Sequence, residues 1–159
     1  MPTESSTAAG DVDVVMSPEQ LNELIDRQFP DYPACRVVRV DRRTLTMAVD
    51  GNRLRTRPGG TVSGPEQAGL VDLAAFLLIN ARLGPTLMAL TSSLQINFLN
   101  RPRPGDLRVE ARTAKFGRRL CVVLAELIGA EGELAASATL TYAIPPIAEQ
   151  LPQGLSGLS

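Results

Sequence analysis

From about Pro65 to Leu83, after a helix start at Ser63, the chain carries a helical segment with no polar face. Ser63-Gly64-Pro65-Glu66 is a helix start with a capping residue and a proline in the first turn. From there Ala68, Leu70, Val71 and every position from Leu73 to Ile79 are apolar. A helix that is apolar around its whole circumference is a buried helix. Running from about Pro65 to Leu83, it makes a rod of about 28 Å, the width of a small domain. Its unbroken apolar run, Leu73 to Ile79, falls far short of the roughly 20 residues that cross a bilayer. The rest of the chain therefore has to wrap it.

The wrapping elements are legible as strands. Downstream, runs at Thr86–Asn100, Leu107–Phe116, Arg119–Ile128 and Leu134–Ile144 are separated by short turn sequences, which predicts an antiparallel meander. In the first run Met88, Leu90, Ser92, Leu94, Ile96 and Phe98 alternate with more polar residues, so one apolar face is expected. Upstream, Cys35–Val40 and Leu45–Val49 read as a hairpin with its tip at Asp41-Arg42-Arg43. Before it, Ser17-Pro18-Glu19-Gln20 opens a helix with a capping box, and Leu21, Leu24, Ile25 and Phe29 share one face before Pro30 and Pro33 stop it. The order is α+β: an antiparallel sheet wrapped around one long buried helix, with an extra N-terminal amphipathic helix. We expect a single domain over 17–144, with flexible ends at 1–16 and 145–159.

Composition removes several kinds of chemistry. The chain has no histidine, which excludes the histidine-based triads and leaves a zinc site without its usual ligand. Its two cysteines, Cys35 and Cys121, lie far apart in apolar strand contexts, too few for a thiolate metal site and unsuited to a redox pair. Lys and Arg total 16 against 17 Asp and Glu, so no global charge favours nucleic acid or an anionic membrane as partner. The polar, acidic start MPTESSTAAGDVDVV lacks the basic and apolar regions of a signal peptide, and a soluble, cytoplasmic protein is the expectation.

One charged residue interrupts the buried helix. Asp72 has Ala68, Gly69, Ala75 and Phe76 as its helical neighbours, so no cation on the same helix neutralises it. Burying a carboxylate without compensation costs several kcal/mol, against a total domain stability of about 5–15 kcal/mol. A structural explanation is a solvent-facing stripe through Glu66, Asp72 and Asn80, or a bond from Asp72 to backbone in the core. A functional one is a cleft in which Asp72 serves as general base or nucleophile. The helix start adds a second ingredient: backbone N–H groups and a positive dipole end suited to an oxyanion. Pro65 has no N–H, which leaves Gly64 first and Glu66 second as donors. About 12 Å of helix separates Gly64 from Asp72, too far to share one carbonyl within a chain. Two antiparallel copies would close that gap.

The string from Arg57 to Pro65, with Ala68-Gly-Leu-Val-Asp72 after it, resembles the helix start of the PaaI-like hotdog thioesterases, of the 4-hydroxybenzoyl-CoA thioesterase-like superfamily. Leu90 to Leu99 with Arg-Pro-Arg-Pro-Gly-Asp106, Lys115 to Leu120, and Gly132 to Tyr142 resemble that family's long strand, hairpin and last strand, in the same order. The resemblance implies a hotdog fold and hydrolysis of an acyl-CoA or similar thioester. It implies that Asp72 activates water or attacks the thioester, that Gly64 polarises the carbonyl and that Thr91 positions water. Ser63, Pro65 and Glu66 would border the substrate, and Arg118 and Arg119 would meet its phosphates. No cofactor is implied beyond the coenzyme A moiety of the substrate itself. Family members are homodimers or dimers of dimers with interfacial sites. Many relatives carry His-Gly-Gly where this chain has Ser63-Gly64-Pro65, which removes one base and one N–H. The alternative expectation is a hotdog protein that binds acyl thioesters without hydrolysing them. Leu73, Phe76, Leu77 and Met88 are the expected pocket walls.

Overall fold

A computed structural model describes residues 14–32 and 34–146. The expectation of flexible ends falls mainly on residues 1–13 and 147–159, outside those described. Ordered contacts begin ahead of the expected boundary at Ser17: Val15 and Met16 donate their N–H groups to the Ala81 carbonyl, and Met16 is buried.

Helix α1 spans Pro18–Gln28 and opens with the capping box read from the sequence. The Ser17 hydroxyl accepts from the Gln20 N–H at 3.2 Å, and the Gln20 side chain accepts from the Ser17 N–H at 2.9 Å. These bonds satisfy donors that a helix start otherwise leaves free. Leu21, Leu24 and Ile25 are buried. Asn22 fastens the helix to the first strand, accepting from the Val37 N–H at 2.8 Å and donating to the Val37 carbonyl at 3.1 Å.

The six strands are β1 (Cys35–Val40), β2 (Thr44–Asp50), β3 (Leu90–Phe98), β4 (Asp106–Phe116), β5 (Leu120–Ile128) and β6 (Leu134–Ala143). They form one antiparallel sheet in the order β1-β2-β4-β5-β6-β3. The expected meander is therefore correct for β4, β5 and β6 but not for β3, which crosses to the far edge and pairs with β6. The place beside β4 belongs to β2, locked in where the Gly51 N–H donates to the Gly105 carbonyl at 2.7 Å. A Cβ at position 51 would lie 2.5 Å from that carbonyl oxygen, so only glycine permits the approach.

Helix α2 (Gly64–Leu83) lies against this sheet, capped by Ser63 and ended by Gly84 at a φ of 87°. Leu70, Val71, Leu77, Leu78 and Ile79 are fully or almost fully buried, as an all-round apolar helix requires. Asn80 is also fully buried, with its amide donating to the Phe76 carbonyl and its oxygen accepting from the Thr86 N–H. That overturns a solvent stripe through Glu66, Asp72 and Asn80, because Asn80 is consumed in turning the chain out of the helix. Truncating Leu77 to alanine, with no exposed surface through which the site relaxes, is expected to cost about 2–5 kcal/mol. A denaturant titration reads this as a lower midpoint at an unchanged m value.

The expected apolar face of β3 is split. Thr91 pairs with Tyr142 and, past an irregularity between Thr91 and Ser93, Leu94 pairs with Leu140, Ile96 with Ala138 and Phe98 with Ala136. The bulge changes the parity, so Leu90 and Leu94 no longer share a face. Ile96 packs on the core, whereas Leu90 is 67% and Phe98 52% exposed, because the strand lies at the sheet edge. Edge strands with exposed apolar residues invite pairing with another chain.

Candidate active site

Asp72, half-buried on α2, meets two hydroxyls from the paired strands β3 and β6. Thr91 Oγ1 donates to Asp72 Oδ1 at 2.7 Å and Tyr142 Oη donates to the same oxygen at 2.5 Å. Tyr142 Oη also lies 3.0 Å from the Asp72 carbonyl oxygen. Burial, with the Asp72 hydrogen bond second, pushes the Tyr142 phenol well above the ordinary tyrosine range, so it keeps its proton and donates. The carboxylate is compensated by side chains, not by the core backbone.

Asp72 lines a cavity of about 400 Å³ and is the one charged residue among the described residues of its walls. Phe29, Tyr32, Phe76 and Tyr142 supply aromatic surface, which places four of the chain's six aromatic residues around one carboxylate. Of the expected walls, Leu73 and Phe76 are present; Leu77 belongs to the closed core and Met88 is exposed outside the cavity. The end of α1 builds much of the pocket. Phe29 packs edge-on against Phe76 with ring centroids 5.5 Å apart and against Tyr32 at 6.5 Å. The Tyr32 hydroxyl lies over Gly69, where a Cβ would come within 2.7 Å of it. Burial, followed by the charge of Glu66, raises the Tyr32 phenol, which therefore also stays protonated.

A second cavity, of about 410 Å³, contains the helix start. Gly64 lines it with Arg57, Gln67, Phe98 and Arg101. The Phe98 ring lies in ordinary contact range of Gly64, 3.4 Å from the position of a Cβ there. Gly64 and Asp72 thus open into different cavities of the same chain, as their helical spacing requires.

A model of the Thioesterase superfamily matches residues 59–136, from the loop before α2 into β6. A candidate thioesterase from Silicibacter sp. TM1040 is 32% identical, with a TM-score of 0.76 over 86% of this chain and 96% of its own. This chain belongs to the thioesterase superfamily. Its fold is the hotdog: a long central helix against an antiparallel sheet. Among more distant members, zebrafish thioesterase superfamily member 2 is 21% identical with a TM-score of 0.71, covering 82% of this chain and 99% of its own. A hypothetical thioesterase protein with coenzyme A from Streptococcus pneumoniae is 17% identical with a TM-score of 0.67, covering 79% and 96%. A search of curated proteins finds no match.

Ser63, which stands where the resemblance leads one to expect a histidine, serves as the helix cap, its hydroxyl accepting from the Glu66 N–H at 3.4 Å. Pro65 is exposed and Glu66 half-buried beside it. Thr91 is at the site, with its proton committed to Asp72. Arg118 and Arg119 are exposed at the β4–β5 hairpin and line neither cavity. Two cations, Arg57 and Arg101, line the cavity at the helix start, and sequence reasoning did not select them. It also missed Tyr142, although alternation with buried Ala138 and Leu140 places that tyrosine on the inward face. Burial pushes the Cys35 thiol up to about 12 and the Cys121 thiol up to about 11, leaving neither as a nucleophile near neutral pH. Among the described residues no cluster of His, Cys, Asp or Glu is placed to hold a metal, and no helix is long and apolar enough to cross a membrane.

Proposed function

We propose that the protein hydrolyses an acyl thioester, with acyl-CoA as the best-fitting substrate class, at a site shared by two copies of the chain. The observation that carries this reading is Asp72: one hydroxyl-held carboxylate in an aromatic cavity able to take an apolar acyl group. Water adds through its oxygen to the thioester carbonyl carbon, and its proton passes to the Asp72 carboxylate. As the carbon–sulfur bond breaks, that proton is handed to the departing thiolate. The developing oxyanion requires hydrogen-bond donors directed at it. The partner's helix start supplies them through the first N–H of α2, that of Gly64, which has no intrahelical acceptor.

Assembly through β3 is the economical way to bring the two halves together. Among the described residues its outer edge pairs with no other strand, and Leu90, Leu94 and Phe98 are exposed along it. Arg57 and Arg101 beside Gly64 supply positive charge suited to the phosphates of coenzyme A. The coenzyme A recorded with the Streptococcus pneumoniae relative supports the same substrate class. A panel of acyl-CoA and acyl-carrier thioesters, followed by thiol release, tests the reading. Turnover of an acyl-CoA is the expected result; saturable binding without thiol release across the panel would establish a binding protein instead.

A further inference from the structure

The two hydroxyls on Asp72 do not divide the carboxylate between them. Thr91 Oγ1 and Tyr142 Oη both donate to Oδ1, at 2.7 and 2.5 Å, while Oδ2 accepts no hydrogen bond among the described residues. The donors are a directly paired cross-strand couple, one from β3 and one from β6. Their side chains therefore project to the same face of the sheet, towards α2. Tyr142 is 2% exposed and lies against the core, so its ring has little freedom to swing away. A single rotatable bond connects the carboxylate plane to Cβ, and two fixed donors on one oxygen hold that plane in one setting.

We propose that Tyr142 is the positioning residue of the reaction: with Thr91 it immobilises Oδ1 and so makes Oδ2 the oxygen that works on the substrate. This rests on Asp72 being the reacting carboxylate. Tyr142 touches the carboxylate and not the reacting atoms, so its contribution is to the fraction of time Oδ2 spends in productive alignment. Loss of alignment lowers the rate of the chemical step without weakening acyl binding, which the aromatic walls provide. The two donors act on one atom, so removing the second after the first costs less than removing it alone.

Tyr142→Phe deletes only the hydroxyl and keeps the ring in its place in the core. The expected result is a fall in kcat of about tenfold or more, with KM within about twofold and the folded fraction unchanged by circular dichroism. Thr91→Val is expected to act in the same direction, Thr91→Ser to restore most of the rate, and Tyr142→Phe/Thr91→Val to lose less than the product of the single effects. An unchanged kcat in Tyr142→Phe, or a change confined to KM, overturns the proposal even where Asp72→Asn is inactive, leaving Tyr142 as a wall of the acyl pocket. If Tyr142→Phe fails to fold, the Thr91 pair decides: equal kcat in Thr91→Val and Thr91→Ser overturns the clamp. An active Asp72→Asn protein overturns the underlying reading instead, a result separable from the other outcomes.

Discussion

Asp72→Asn is expected to lower kcat for thioester hydrolysis by about 10²–10⁴-fold while leaving the fold and the oligomer intact. Asparagine has the shape of aspartate, and its Oδ1 still accepts from Thr91 and Tyr142, which now hold that oxygen at 2.7 and 2.5 Å. What changes is the other terminus, where an amide replaces an oxygen able to take a proton. The substitution also removes the cost of holding a charge in a half-buried cavity, so thermal stability is expected to stay level or rise. Steady-state thiol release and a melting curve on the same sample separate the two effects. Undiminished kcat would place the chemistry elsewhere, and Glu66, half-buried at the helix start, becomes the next carboxylate to replace.

Gly64→Pro is expected to cost about 10²–10³-fold in kcat, the loss that follows removal of one oxyanion donor. Proline lacks the N–H but suits the first turn of a helix, and the neighbouring Phe98 ring leaves room for a Cβ at ordinary contact distance. Combining the two inactive chains tests whether the site is shared. In a heterodimer of Asp72→Asn and Gly64→Pro chains, one site receives both defects and the other neither. Purified with two different tags, that heterodimer is expected to recover about half the wild-type activity, as two-fold symmetry dictates. A heterodimer as inactive as its parents would overturn the shared site, and a monomeric wild-type protein with full activity would do the same.

The helix around which everything is built was legible because burial on all sides leaves a local mark: no polar face over five turns, with a capping serine before them. The capping box of α1 and most strand boundaries were legible for the same reason. Asp72 stood out as a charge without a helical partner, a contrast visible within eight residues. The pairing of β3 was not legible, since alternation says which way side chains point and not which strand lies alongside. A bulge at Ser92 then shifted even that parity, and the edge position left the apolar residues of β3 exposed.

The sequence by itself determined the class of the fold and the one residue that must be explained. Only the tertiary structure decided what surrounds it: the end of α1 brought over the cavity, the Tyr142 hydroxyl carried back to Asp72 across 70 positions, and Gly64 turned into a separate cavity. Helical and strand periods are local properties of the backbone, whereas an active site is assembled by whichever elements the core packs together. Tyr142 and Asp72 meet because β6 and α2 share one core, a relation that no spacing along the chain encodes.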